Sequence, residues 1–410
     1  MSKPTAEKAL LEELGTCLEK LVPFLQQQWS KKDWMELVLL LALGTLLGAW
    51  NPHQVCQILG LPQRETYAEL GTISPYSWRK LLWDVLYAQA LPLVEKRHEK
   101  SAATRSRDGW VLAVDDMVIL RVATALGFVW KWWSGHVKGV HEGQNLIALL
   151  LIVGDRILPL DVQMVSKQGS EVRTKPEIHQ EMLDEAERRF DAVEIPMKRF
   201  KITGDSAYLN QLTADLCAAM HNAGVFRGKG SYVFEIAGQR QRASQWKKTF
   251  ASQLAPGWGC AEEVYRVEAV SPTFGKVILV FYRPQKGGTR IEYLVVVGKP
   301  LRACEALRAY HWHHWIEEFW QILRSVLHVE ATSLRGRAGA LAGVGIKVVA
   351  FLLLTEVQHK LRKQPRFAHL TLHQLVHVCP KFVDLRAFLR EHFHDRIPAN
   401  YTLDQALART

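Results

Sequence analysis

Tyr310-His-Trp-His-His-Trp-Ile-Glu-Glu-Phe-Trp-Gln-Ile-Leu-Arg324 is the stretch on which the reading of this chain turns. Its polar residues Tyr310, His313, Glu317 and Arg324 stand at offsets of three, seven and fourteen from the first. On one continuous helix, at about 100° per residue, they fall within roughly a 60° arc and share a stripe. Trp312, Trp315, Ile316, Phe319, Ile322 and Leu323 supply the apolar contacts that pack such a helix onto a core. An acid flanked by an aromatic hydroxyl, an imidazole and a guanidinium suits a site that holds a metal ion and grips phosphate. Glu318, about 100° round from Glu317, is expected to face elsewhere.

Upstream, two further elements end in acids. Trp110 to Val118 has the texture of a buried strand and carries the pair Asp115-Asp116. Side chains alternate along a strand, so only one of that pair can face a given site. Phe128 to Val137 is a second, aromatic strand candidate. Gln144 to Val153 and Ile157 to Val165 follow, separated by the turn Gly154-Asp155. Glu177 to Phe190 reads as a charged amphipathic helix. Arg199 to Thr203 is a short strand running into Gly204-Asp205-Ser-Ala-Tyr208, and Leu209 to Ala223 is a helix. Strands, a helix, a strand and a helix in that order match an RNase H-like α/β core of mixed sheet.

From residue 224 to about 300 the texture is β-rich and basic. Strands are expected over Tyr232 to Ile236, Val264 to Val270, Lys276 to Tyr282 and Ile291 to Val297, with turns at Pro272, Gly275 and Gly287-Gly288. Arg227, Lys229, Arg240, Arg242, Lys247 and Lys248 interleave with Tyr232 and Trp246, a composition for tracking phosphates or simply a solvated charged face. Residues 1–105 read as all-helical. Short helices with breaks at Asn51-Pro52 and Gly60-Leu61-Pro62 could form a helix-turn-helix DNA reader or a helical cap. Residues 100–108 read as a linker, and 366–410 as a basic tail.

The Tyr310 to Arg324 stretch resembles the Tyr-x2-Arg-x3-Glu-x6-Lys signature of DDE transposases of bacterial insertion sequences, the cut-and-paste group with a β-rich insertion before the final Glu. Tyr310 and Glu317 match; His313 stands for the Arg and Arg324 for the Lys. The resemblance implies a catalytic core at 106–223 and 301–365, with 224–300 as the insertion. It implies a catalytic and metal-ligating triad of Asp116, Asp205 and Glu317, with Asp115 the alternate for the first. Two Mg²⁺ ions, which Mn²⁺ can replace, would serve phosphodiester cleavage and strand transfer. Tyr310, His313, Arg324, Lys247 and Lys248 would contact DNA phosphates, and Tyr293 would stack on a flipped base. The partners implied are transposon inverted-repeat ends and target DNA, bound by a homodimer or higher multimer in the bacterial cytoplasm at the nucleoid. A DNA-binding protein that has lost catalysis and an RNase H-like nuclease without strand transfer are the rival expectations.

Composition agrees with a nucleic-acid partner. Lys and Arg total 52 against 41 Asp and Glu, a net charge of +11 that favours a polyanion. The six cysteines (17, 56, 217, 260, 304 and 379) show no metal-ligand spacing and read as reduced, buried thiols of a cytosolic protein. His311, His313 and His314 lack the further ligands that zinc would need. The N-terminus carries Lys3, Glu7 and Lys8 without an apolar signal core. Leu37 to Trp50 falls short of a membrane span, and the apolar run from Ala338 to Thr355 contains Lys347; both read as buried helices.

Overall fold

A computed structural model describes residues 32–46, 48, 51–98, 110–121, 126–135, 137–154, 156–168, 172–257, 259–285, 288–331 and 334–378, with isolated residues Thr16, Glu19 and Phe393. The helix expected over Ala6 to Gln28, the 100–108 linker and most of the 366–410 tail lie outside the described residues.

The fold is mixed α/β, built on β1 (Trp110–Leu120). Its run of Val, Leu and Ala is buried on both faces, as a central strand requires. β1 pairs antiparallel with β3 (Gly139–Val153), so that Asp115 lies opposite Ala148 and Asp116 opposite Ile147. β3 is long enough to serve two further partners. Its first residues pair with β2 (Trp130–Ser134) and its apolar half with β4 (Arg156–Met164). On its other edge β1 runs parallel to β5 (Lys201–Gly204), and β5 runs parallel to β6 (Ala223–Arg227). Parallel neighbours need crossovers. These are α5 (Lys175–Asp191), entered through a Thr174–Glu177 capping box, and α6 (Gln211–Ala219), capped by Asn210.

Beyond β6 the chain does not leave the sheet. β12 (Glu292–Gly298) pairs antiparallel with β6, and β11 (Gly275–Arg283), β10 (Glu263–Ser271), β7 (Val233–Ile236) and β8 (Gln239–Arg242) continue the path. With β9 (Ala255–Pro256) and β4 off the main path, all twelve strands form one sheet. The strands expected here are present, and they extend the same sheet. The reason is β6. Its Ala-Gly-Val-Phe-Arg residues, partly absorbed into the preceding helix in the sequence reading, form a buried strand whose outer edge takes β12.

α1 (Lys32–Leu46), α2 (Pro52–Leu59), α3 (Gln63–Thr72) and α4 (Pro75–His98) form the helical N-terminal part. α2 is bounded as its sequence predicts, by an Asn51 side chain accepting from Gln54 N–H and by Gly60 at φ 70°. α7 (Ala243–Thr249) lies between β8 and β9. α8 (Ala303–His311), α9 (His314–Ser325), α10 (Gly336–Arg362) and α11 (Leu372–Val378) follow the sheet. α10 is long and apolar enough to cross a membrane, yet 89% of its most apolar window is buried inside the fold, against α1, α4 and β4. The packing is close: a Cβ on Gly345 would come within 2.9 Å of the Trp78 ring. Ion pairs from Arg79 to Asp161 and Glu181, and from Arg189 to Asp84, tie α4 to β4 and α5.

The cysteine reading needs one correction. Cys260 and Cys304 are disulfide-bonded, because the start of α8 lies against the loop before β10. Cys56 and Cys217 are free and buried, as expected.

Candidate active site

The parallel pairing of β1 with β5 decides which acid of the Asp115-Asp116 pair faces the helix. Val114 lies beside Gly204, and a Cβ on Gly204 would sit 2.9 Å from Val114 Cγ1 and 3.2 Å from Tyr208 Cβ, so this register position faces Tyr208. Asp116, two residues on from Val114, faces the same way. There it accepts hydrogen bonds from Tyr208 Oη at 3.0 Å and Asn145 Nδ2 at 2.9 Å, and is ion-paired with Lys175 Nζ at 2.6 Å. Asp115 faces the other way. Its carboxyl is held well above the usual carboxylate range, first by burial, then by the charge of Asp116, with Asp205 and Glu317 adding to it against a backbone hydrogen bond at Asp116. Asp116, the register implied by the resemblance, and its alternate Asp115 thus lie on opposite faces of β1, and Asp115 is the carboxyl that feels Asp205 and Glu317.

Asp205 follows Gly204 at the end of β5, and Glu317 sits exposed in the first turn of α9. Tyr310 Oη approaches Asp205 Oδ1 at 3.4 Å; burial, then the Asp205 charge, pushes the phenol strongly up.

The helix between them is not continuous. α8 ends at His311 and α9 begins at His314, joined by a tightened turn with His313 N–H donating to Tyr310 O at 2.9 Å and Ile316 N–H to His313 O at 3.1 Å. Three-residue spacing brings positions i and i+3 nearly into register. Accordingly the Tyr310 and His313 rings stack, with centroids 5.5 Å apart and planes 16° from parallel. His313 is buried, with Nδ1 lacking a hydrogen-bond partner. Burial lowers its pKa to about 4, against a raising influence of Asp205 and with His314 adding to the drop. At neutral pH the ring is uncharged. Any contact it makes with phosphate at that pH is as an uncharged imidazole.

The other expected contacts divide. Arg324 is ion-paired with Glu330, Nε to Oε1 at 3.3 Å, instead of standing clear for phosphate. Lys248 is exposed, and Lys247 places Nζ 5.3 Å from the Tyr293 ring centroid. Glu318 lines a separate groove with Trp315, Gln358 and Arg362, as its angle on the helix predicts. Tyr293 is not available to a base. It is 1% exposed, stacked on Phe281, and donates its hydroxyl to Lys229 O at 2.6 Å. That aromatic is core, and Gly228 exists to admit it: a Cβ there would fall 2.0 Å from Tyr293 Cζ.

One residue that the sequence reading left as part of a basic cluster belongs beside the site. Arg227 ends β6 directly after Phe226, which pairs with Gly204, so Arg227 is level with Asp205 on the neighbouring strand. It pairs with Glu292 at 2.9 Å; burial works against its charge, but Glu292 and Asp205 outweigh that and raise the pKa of the guanidinium. Arg290 also pairs with Glu292, and Lys247 is near enough to feel Arg227, Arg290 and Glu292. The signal available in sequence was an Arg at the end of an apolar run, and only strand pairing gives it meaning.

No protein-family model and no curated protein matches the chain. Among the described residues no three His, Cys, Asp or Glu side chains are gathered as a ready metal cage. Asp115, Asp205 and Glu317 are oxygen donors of the kind a hard divalent cation takes, and the Asp115 carboxyl is raised first by burial, then by Asp116, with Asp205 and Glu317 adding to it.

Proposed function

We propose that this protein is a DDE-type DNA transposase with an RNase H-like core, acting on DNA ends through Asp115, Asp205 and Glu317. What supports the reading is that β1 and β5 run parallel with Val114 beside Gly204, so that Asp205 comes level with Asp115, and that the Asp115 carboxyl feels both Asp205 and Glu317. The strand order β4-β3-β1-β5-β6, three antiparallel members followed by two parallel ones, supports the core assignment. Two Mg²⁺ ions, or Mn²⁺ in their place, would be held by these carboxylates and would supply charge neutralisation at the phosphoryl group and an activated oxygen nucleophile. Tyr310 orients Asp205 through its hydroxyl, and the stacked, neutral His313 fixes the Tyr310 ring. Arg227 supplies the permanent positive charge for a neighbouring phosphate that His313 cannot. Lys247 and Lys248 extend that positive surface. The substrates in this reading are inverted-repeat ends and target DNA, handled by a homodimer or higher multimer in the bacterial cytoplasm.

The test is cleavage and joining of labelled DNA from either side of the coding sequence, with Mg²⁺. The parent should cut and join, while Asp205→Asn and Glu317→Gln should lose about a hundredfold or more yet still bind. Binding without cleavage by the parent would sink the transposase reading. It would favour a DNA-binding protein that has lost catalysis, the reading supported by the lack of a gathered metal cage among the described residues. Hydrolysis without joining would leave an RNase H-like nuclease.

A further inference from the structure

The β2–β3 hairpin has two faces of opposite character. On one, Trp130 packs edge-on against Phe128, whose other contact is the Arg337 guanidinium; Trp132 is covered by Lys167 Nζ, 3.9 Å from its ring centroid; Ser134 is buried. Lys167 also donates to Lys131 O at 2.7 Å, bracing the strand. On the other face Trp133 pairs across the strands with Val140, and these two are 66% and 61% exposed. Lys131 lies beside Trp133 on the same face, opposite Glu142. Val137, at the tip, is 39% exposed. A bare Trp on a braced hairpin costs solubility and gives nothing to the core.

Position and charge point to what covers it. The hairpin continues from the carboxyl end of β1, beyond Asp115 at the middle of that strand: Leu120 and Trp130 both pair with Gly143. Along β3, Val140 lies eight residues from Ala148, the partner of Asp115. At about 3.3 Å per residue that is about 26 Å, or about eight base pairs of duplex. On the Trp133 face and at the tip, exposed Lys131 and Lys138 outnumber Glu142. Lys138 holds its place at φ 51°, left-handed backbone that a Gly or Asn would adopt more cheaply.

We propose that this hairpin is a DNA-binding finger, with Trp133 and Val140 wedged against the bases or sugars of the duplex about eight base pairs from the reacting phosphate, and Lys131 and Lys138 on the flanking phosphates. It rests on the DNA reading above and adds a contact outside the candidate active site. All the residues to be changed are exposed, so the variants should fold.

The experiment compares the full-length parent with Trp133→Ala, Val140→Ser and Lys138→Glu. Binding of a fluorescein-labelled duplex of the flanking DNA is followed by anisotropy across a salt series, with hydroxyl-radical footprinting and sedimentation velocity alongside. Trp133→Ala should weaken binding about tenfold and lose protection at the distant position while keeping protection near the cleavage point. Lys138→Glu should lower the salt slope. Variants that bind and footprint like the parent would overturn the finger and leave the DNA reading intact. A parent that binds no DNA would overturn both. Unchanged DNA binding with a dimer that Trp133→Ala dissociates would also overturn the finger, by assigning the Trp to contact between copies of the chain.

Discussion

Neutralising Asp115 and neutralising Asp116 should move stability in opposite directions. Asp115→Asn removes a charge that Asp116, Asp205 and Glu317 all disfavour, so its melting temperature should rise while Mg²⁺-dependent cleavage disappears. Asp116→Asn gives up the Lys175 ion pair and weakens two further hydrogen bonds, and should cost about 1.5–3 kcal/mol. Calorimetric melting of the two variants, with a cleavage assay, checks both signs; a fall for Asp115→Asn would mean that its neighbours do not crowd it. The pair also marks how far residues alone could be read. Strand alternation says that only one of the two faces the helix, and the choice is made by a parallel neighbour 90 residues downstream, Gly204. Tyr293 shows the same limit. An aromatic opening a strand looks alike whether it meets a base or a core, and the partner that settles it, Gly228, comes beside it only when β6 pairs with β12.

At the scale of elements the sequence was more informative, because punctuation is local. Gly154 at φ 65° follows the end of β3 and Gly275 at φ 69° opens β11, where their positions predict turns, and the Thr174 capping box opens α5. The division between α8 and α9 had no such mark. Neither Gly nor Pro falls between Tyr310 and Arg324, and the turn is drawn tight by packing that buries His313 beside Tyr310. In the proposed function, the permanent positive charge beside the acids comes from Arg227 at the end of β6. Arg227→Ala should therefore lower cleavage about tenfold or more, equally at all pH values between about 6 and 9, since a guanidinium does not titrate there. Arg227→Lys should recover part of the loss. A pH-rate series on the three proteins tests this, and a loss confined to the alkaline side would return the role to an imidazole.

The whole molecule should be acid-sensitive. His179 of α5 is 1% exposed, against Tyr208, and burial lowers its pKa from 6.5 to about 3. His313 shares the direction, at about 4. Folded, both stay neutral; unfolded, each takes a proton below about pH 6.5. The unfolded chain then binds more protons, so stability present at neutral pH is lost as pH falls from about 6.5 towards 4 and below. Thermal melts should show that fall, and His179→Phe should make it shallower; an unchanged slope would clear His179 of responsibility. The sheet that runs through this fold has a further consequence. Among the described residues the ten-strand path ends on β2 and on β8, with β4 and β9 paired off it, and at these ends unused backbone donors and acceptors can template the growth of a polymer. β8 reads Gln-Arg-Gln-Arg and β2 carries Lys131, so a second molecule approaching either flank in register meets its own charge. The same lysines and arginines that draw a polyanion also keep one copy of the sheet from zipping onto the next.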